Sequence, residues 1–322
     1  MLQQTRVETV IPYYERFLRR FPTLRHLAKA DHEDVLKCWE GLGYYRRILH
    51  LHRAARMICD DGGVIPNTIE ELQSLPGVGE YTAAAIASIA YDQSTAAVDG
   101  NVTRVLARLF GITDDVRFGS GKSAVRDIAQ SLLPPDRPGD FNQAWMDLGS
   151  LICTPKSPRC GPCPLRAHCA AAKCNDPEQF PVRDSARNHK PKTVNLVTAI
   201  FFRKKKMLVR RRKHGGLWSG LWEFPSIELP PSLYPLRYVR RLAHDADVSL
   251  SVVPRRIAHV HHQLTHRSLH FDVYVAEAQS LNGTRATGFR WVSVPDFEAL
   301  PVSTAHRRIL EAAESSLPTK KA

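Results

Sequence analysis

The chain changes its hydrophobic period once. Up to about residue 172 apolar positions recur at helical spacing, broken by short Gly/Pro stretches such as DGGVIPNT and LPPDRPGD. In VDGNVTRVLARLF, for example, Val102, Val105, Leu106, Leu109 and Phe110 repeat as one helical face. Further on, VNLVTAIFF, MLVRR and LHFDVYVAE are rich in β-branched and aromatic residues and predict strands, while RYVRRLAH and TAHRRILEAAESS predict helices. Between the two parts PEQFPVRDSARNHKPKT is polar, Pro-containing and aperiodic, as linkers are. The expected architecture is an all-α domain over residues 1–176, a linker over 177–193 and an α+β domain over 194–316, with no internal repeat.

Composition adds a class and a direction. A length of 322 residues suits about two domains. The opening MLQQTRVETVIPYYERF has no basic region followed by an apolar core, and no stretch approaches the roughly 18 apolar residues of a membrane span, so a soluble intracellular protein without a membrane partner is expected. Net charge is +13 and unevenly placed. Residues 1–189 hold 23 Lys/Arg against 22 Asp/Glu, or +1, whereas residues 190–322 hold 22 against 10, or +12. A basic surface favours polyanions through phosphate contacts and counterion release; runs such as Lys204-Lys205-Lys206 also suit a merely solvated face.

Three patterns carry candidate chemistry. Leu75, Gly77, Val78 and Gly79 belong to a Gly-x-Gly hairpin that opens an Ala-rich helix, and the missing side chains let backbone N–H groups approach a phosphate there. Such a grip holds DNA without reading its sequence. Asp99 stands at the start of the next helix, where it either caps that helix or serves as a reactive carboxylate. Cys153, Cys160, Cys163 and Cys169, at x6, x2 and x5 spacing with Pro and Gly between them, can surround one soft metal centre; on spacing alone zinc and an iron–sulfur cluster both remain open. Cys38, Cys59 and Cys174 read as ordinary thiols.

The cysteine spacing downstream of LPGVG and VDGN resembles the iron–sulfur helix-hairpin-helix DNA glycosylases. Within that superfamily the ordered blocks MLQQTRVETVIPYYERF, WEGLGYYRR, LPGVGEYT, AVDGNVTRVLARLF and FNQAWMDLGSLICT resemble the adenine DNA glycosylases of MutY type, densely over residues 1–175 and loosely beyond. The resemblance implies a 4Fe-4S cluster on the four cysteines. It implies a monomeric repair enzyme, cytoplasmic and nucleoid-associated in a bacterium, whose partner is double-stranded DNA containing 8-oxoguanine:adenine mispairs. The reaction implied is hydrolysis of the N-glycosidic bond of adenine opposite 8-oxoguanine or guanine, with the target base flipped from the stack.

Residue by residue, Asp99 matches the carboxylate that supports the developing sugar cation, and Asn101 its neighbour in the site. Tyr81 stands where strand-cutting relatives carry a Schiff-base lysine, which implies a monofunctional enzyme and a ring packed by the flipped adenine. Gln4 and Thr5 match positions near the lesion stack, and Tyr44 the aromatic that wedges into DNA. The family's proton-donating glutamate lies two residues before the Met of MLQQT, and these 322 residues begin at that Met; Glu8 and Glu15 do not occupy its place. Severely reduced base release is therefore expected of this 322-residue form. The alternatives are an endonuclease III-like glycosylase for oxidised pyrimidines and a non-catalytic lesion binder.

The second part resembles, in MLVRRRKHGGLWSGLWEFPS, the Nudix-like domain attached to these glycosylases. A Nudix hydrolase needs a Glu-rich helix to hold magnesium; SLYPLRYVRRLAHDADVSL has no glutamate, so lesion recognition is expected in place of hydrolysis. Leu264, Thr265 and His266 align with a Phe-Ser-His loop whose serine and histidine meet 8-oxoguanine; Thr keeps the hydroxyl and Leu removes the ring. HVHHQLTHRSLHFDVY carries five histidines, and strand alternation sets His259 and His261 opposite His262.

Overall fold

The computed structural model describes residues 1–3, 5–182, 191–213, 215–230, 234–281 and 288–314, so Gln4 and residues 183–190 of the expected linker lie outside the described residues. The chain forms two compact units: Val64–Asn188, and a second made of Met1–Gly63 with His189–Ala322. Contact therefore divides the chain differently from a single cut near residue 176. Four amphipathic helices, α1 (Val7–Arg20), α2 (Leu24–Lys29), α3 (His32–Cys38) and α4 (Tyr45–Asp60), bury their apolar faces with the later sheet. Phe17, Leu27, Val35, Leu36, Trp39 and Ile48 share one core with Ile200, Met207, Phe224, Phe271, Phe297 and Ile309.

The middle unit is helical: α5 (Ile69–Ser74), α6 (Glu80–Tyr91), α7 (Gly100–Phe110), α8 (Gly119–Leu132), α9 (Pro138–Asp147) and α10 (Ala170–Lys173). Thr68 starts α5 by accepting a hydrogen bond from the Glu71 N–H at 3.3 Å. Val102, Leu106, Ala107, Val116, Val125 and Ala129 form a core between α7 and α8. The apolar stripe predicted for α7 is only partly the buried one. Phe110 is 47% exposed, whereas Arg104 and Arg108 are buried.

The other unit carries the sheet. Its strands are β1 (Lys192–Arg203), β2 (Lys206–Arg211), β3 (Trp222–Glu223), β4 (Ser226–Glu228), β5 (Val248–Leu250), β6 (Arg255–Gln263), β7 (Arg267–Leu281) and β8 (Phe289–Val292). The order is β3-β2-β1-β7-β5, with β4 on β1, β6 on β7 and β8 on β2. β1 and β7 run parallel from Lys192↔Arg267 to Phe202↔Glu277, and β6 returns antiparallel on β7. One face packs on the core described above. On the other, Val197, Ala199 and Phe201 meet Val239, Leu242 and Ala243 of α11 (Pro235–Asp245). Burial on both faces makes β1 a continuous apolar run, which is why it was legible without alternation. Helices α12 (Val294–Ala299) and α13 (Thr304–Ala313) follow β8. Among the described residues no helix is long and apolar enough to cross a membrane.

Candidate active site

The hairpin is a turn between α5 and α6. Leu75 is buried beneath it, the Val78 N–H donates to the Leu75 carbonyl at 3.1 Å, and Gly77 takes a φ of +80°, a value an L side chain resists. Gly79 is different: its backbone is extended, and an added Cβ would meet no protein atom within 4 Å. Nothing within the protein demands glycine there, and the open space faces the start of α6, whose first-turn N–H groups an α-helix cannot satisfy internally. A cavity of about 630 Å³ beside it is lined by Gly79, Tyr81, Val98, Thr103 and the cations Lys122 and Arg126. Both cations pair with the exposed Glu80.

Asp99 caps α7, and the cap uses mainly one of its oxygens. Oδ1 accepts from the Asn101 N–H at 2.8 Å and the Val102 N–H at 2.7 Å, while Oδ2 takes the Asn101 side-chain amide at 3.3 Å. Capping and chemistry are thus compatible in one half-buried carboxylate. Tyr81 belongs to the same neighbourhood: burial pushes its phenol pKa up and the Asp99 charge adds to the shift. Its hydroxyl donates to the Met146 sulfur at 3.5 Å, and it carries no amine with which to form a Schiff base.

Beneath Asp99, α7 carries a polar spine that sequence reading missed. Asn101 Oδ1 accepts from Arg104 at 2.9 Å, and Arg104 also donates to the Gly149 carbonyl at 2.7 Å and the Cys153 carbonyl at 2.8 Å. One turn later Arg108 donates to the carbonyls of Thr154 at 2.7 Å, Pro155 at 3.0 Å and Phe180 at 3.1 Å, and lies 3.3 Å from the Cys153 sulfur. The only available signal was two arginines at i, i+4 on an apolar helix. The chain reaches Cys153 through a π-helical turn, Leu148–Ile152, and Gly149 within it lies so close to α7 that an added Cβ would stand 2.7 Å from Asn101 Cβ.

Cys153, Cys160, Cys163 and Cys169 line one small cavity with Arg108, Ile152 and Pro177. All four are free thiols, half-buried. Among the described residues no three His, Cys, Asp or Glu side chains are arranged around a single ion. The four cysteines line one space, which a soft metal centre held by thiolates could occupy.

In the sheet unit the residues expected to meet the lesion also come together. Gly41 and Gly43 have φ of +98° and +74°, and Tyr44 itself is held at +47°, a left-handed conformation costly for a bulky residue. The strain presents an exposed ring, with Arg47 stacked over it at 4.7 Å. The Tyr44 hydroxyl lies 3.4 Å from the Thr265 hydroxyl in the β6–β7 turn. Leu264 is half-buried and closes that turn through its N–H to the Arg267 carbonyl at 2.8 Å; Thr265 and His266 are exposed. Thr5 follows a turn in which its N–H donates to Leu2, 3.3 Å away. Helix α11 has Arg237, Arg240 and Arg241 where a hydrolase would need glutamates.

Among its described residues the sheet unit buries one carboxylate. Burial alone would raise the pKa of Glu223, but His306, Arg212 and Arg210 around it bring it down to about 2. Arg210 and Arg212 donate to it at 2.8 and 2.5 Å, and the His306 ring stands 3.5 Å away.

Comparison with known proteins shows the family. Residues 1–135 match the HhH-GPD superfamily base excision DNA repair protein family, and residues 197–312 match the NUDIX domain. The adenine DNA glycosylase of Rattus norvegicus is 37% identical over 361 residues, which cover 98% of this chain and 70% of that protein. Its Homo sapiens counterpart is 36% identical, covering 99% and 67%. That of Buchnera aphidicola subsp. Schizaphis graminum is 28% identical, covering 97% and 88%. With a helix-hairpin-helix repair domain, a Nudix-like domain and likeness running through almost its whole length, this chain belongs to the adenine DNA glycosylase family.

Proposed function

We propose that the protein releases adenine paired with 8-oxoguanine or guanine in double-stranded DNA by hydrolysing the N-glycosidic bond, leaving the strand uncut. The observation that carries this reading is Asp99, whose Oδ1 is fixed by two backbone N–H groups and whose other oxygen is held only by a long amide contact, beside a tyrosine and not a lysine. A carboxylate anchored in this way is preorganised to face the positive charge that develops on the sugar as the base departs. The hairpin supplies N–H groups for a backbone phosphate, and Tyr44 with Thr265 and His266 supplies a ring, a hydroxyl and an imidazole for the lesion side. Release also needs a proton on the leaving purine, which an ionised Asp99 does not provide. In the family that proton comes from the glutamate placed ahead of the Met of MLQQT.

Cys153, Cys160, Cys163 and Cys169 are proposed to hold a 4Fe-4S cluster, supported by the single cavity they line and by the family. When bound, such a group supplies a rigid anchor for the loop; Arg104 and Arg108 tie that loop to α7 and so to the Asp99 cap. Iron and sulfide in equal amounts in the purified protein, lost on replacing Cys160 with Ser, are the expected readout. For the reaction, the test is a duplex carrying one 8-oxoguanine:adenine pair. Strand cleavage should appear only after hot alkali, and borohydride should trap no covalent protein–DNA product. A trapped adduct would favour the endonuclease III-like reading, and tight binding without release the lesion-binding one.

A further inference from the structure

The β6–β7 hairpin carries a group of side chains that base release does not use. On the sheet face that α11 covers farther along, the hairpin end is open and bears His259, His261, Ser268, His270 and Asp272. In register, His259 faces Asp272 and His261 faces His270. The His259 Nε2 and His270 Nδ1 atoms lie 3.4 Å apart. Two imidazoles on one tetrahedral ion, each about 2.0–2.1 Å from it, place their nitrogens about 3.4 Å apart. The second nitrogen of His259 lies 3.0 Å from Asp272 Oδ1, the carboxylate–histidine pairing that orients a ligating ring. Arg256, 2.5 Å from the same oxygen, keeps that carboxylate in place.

We propose that this open face of the β6–β7 hairpin binds a borderline transition ion such as Zn²⁺, Ni²⁺ or Cu²⁺ through His259 Nε2 and His270 Nδ1. Asp272 orients His259, and water completes the shell. Among the described residues no three donors converge on one ion, so the site begins as a two-imidazole site. His261 is the third available ring: its centroid lies 4.7 Å from that of His270, and Ser268 bridges the two, at 2.8 Å from His261 Nε2 and 3.2 Å from His270 Nε2. Turning His261 off Ser268 brings a third nitrogen to the ion. Imidazole donors select late first-row ions over Mg²⁺ and Ca²⁺, which prefer oxygen. The site lies on the strands that lead into Thr265 and His266, so an ion there stiffens the turn that carries them.

The experiment is a Zn²⁺ titration of the intact chain, its cysteine site loaded and no polyhistidine tag present, followed by calorimetry. Expected is one saturable equivalent, weakened at least ten-fold by His259→Ala or His270→Ala. Asp272→Asn should weaken it about ten-fold, in the range typical of an orienting partner. His262→Ala, on the opposite face, and excess Mg²⁺ should leave it unchanged. Cu²⁺ added to the unsubstituted protein should broaden the ring resonances of His259 and His270 before those of other histidines, an arm that needs no variant to fold. Equal Zn²⁺ affinity in the His259→Ala protein, absence of a saturable equivalent, or earlier broadening of other histidines overturns the proposal.

Discussion

Each unit buries charge, and each neutralises it by a different means. In the helical unit Arg104 and Arg108 are satisfied by the carbonyls of Gly149, Cys153, Thr154, Pro155 and Phe180. Among the described residues of the sheet unit a single carboxylate is buried, Glu223, and two arginines satisfy it, with the His306 ring 3.5 Å away. The first arrangement binds an irregular loop to a helix and fixes where Cys153 stands relative to Asp99. The second joins β2 to β3 by ion pairing. Carbonyls do not titrate and carboxylates do, so the two units should respond to acid in different ways.

The strongest way to sharpen that contrast is Glu223→Gln. Removing one partner of a buried pair leaves uncompensated charge and should destabilise the sheet unit by about 3 kcal/mol, read by chemical denaturation with Trp218 and Trp222 fluorescence. The parent protein should show the matching pH effect. Glu223 is held below its unfolded value, so its contribution is complete above about pH 4.3 and is lost as pH falls through about 2; the Gln variant should lack this step. Arg108→Leu comes next. It should cost the helical unit roughly 2–3 kcal/mol through unsatisfied carbonyls and speed loss of iron to a chelator, while leaving the acid step of the sheet unit intact. A shared acid step in both units would break the contrast.

Smaller effects test the DNA-facing parts. Tyr44→Ala should weaken binding to the 8-oxoguanine:adenine duplex by about 1–2 kcal/mol in a gel-shift titration, the scale of one lost stacking contact. The ring is exposed, so stability should hold. Gly77→Ala, at a φ of +80°, should lower stability by about 1 kcal/mol and weaken binding to matched and mispaired DNA alike.

What was legible in the sequence follows from the range of the interactions. The hairpin and the cysteine quartet are local, and the residue types themselves state the requirement: no side chain at Gly77, a thiol at each quartet position. β1 was legible because burial on both faces leaves a long apolar run, and β7 because apolar Leu269, Phe271 and Val273 alternate with polar His270 and Asp272. The short strands β3, β4 and β8 carry too few residues for a period. Arg104 and Arg108 went unmarked in the sequence because the carbonyls they hold lie 45 to 72 residues downstream. The helices α1 to α4 reported an apolar face without saying which surface would cover it, and contact groups them with the sheet. At Asp99 the cap reading holds for Oδ1, which takes two backbone N–H groups, and leaves Oδ2 with one long amide contact.

The most direct test of the central claim, that Asp99 is one of two acids needed for adenine release, is a single-turnover assay on adenine opposite 8-oxoguanine. Three proteins are compared: the chain preceded by Ser-Glu-Val, the chain preceded by Ser-Gln-Val, and the Ser-Glu-Val chain with Asp99→Asn. Expected is fast release without nicking from the first, a fall of about 10³-fold or more, roughly 4 kcal/mol, on replacing Asp99, and a comparable fall with Ser-Gln-Val, with mispair binding retained throughout. Release that survives Asp99→Asn, or equal rates with Ser-Glu-Val and Ser-Gln-Val, contradicts it.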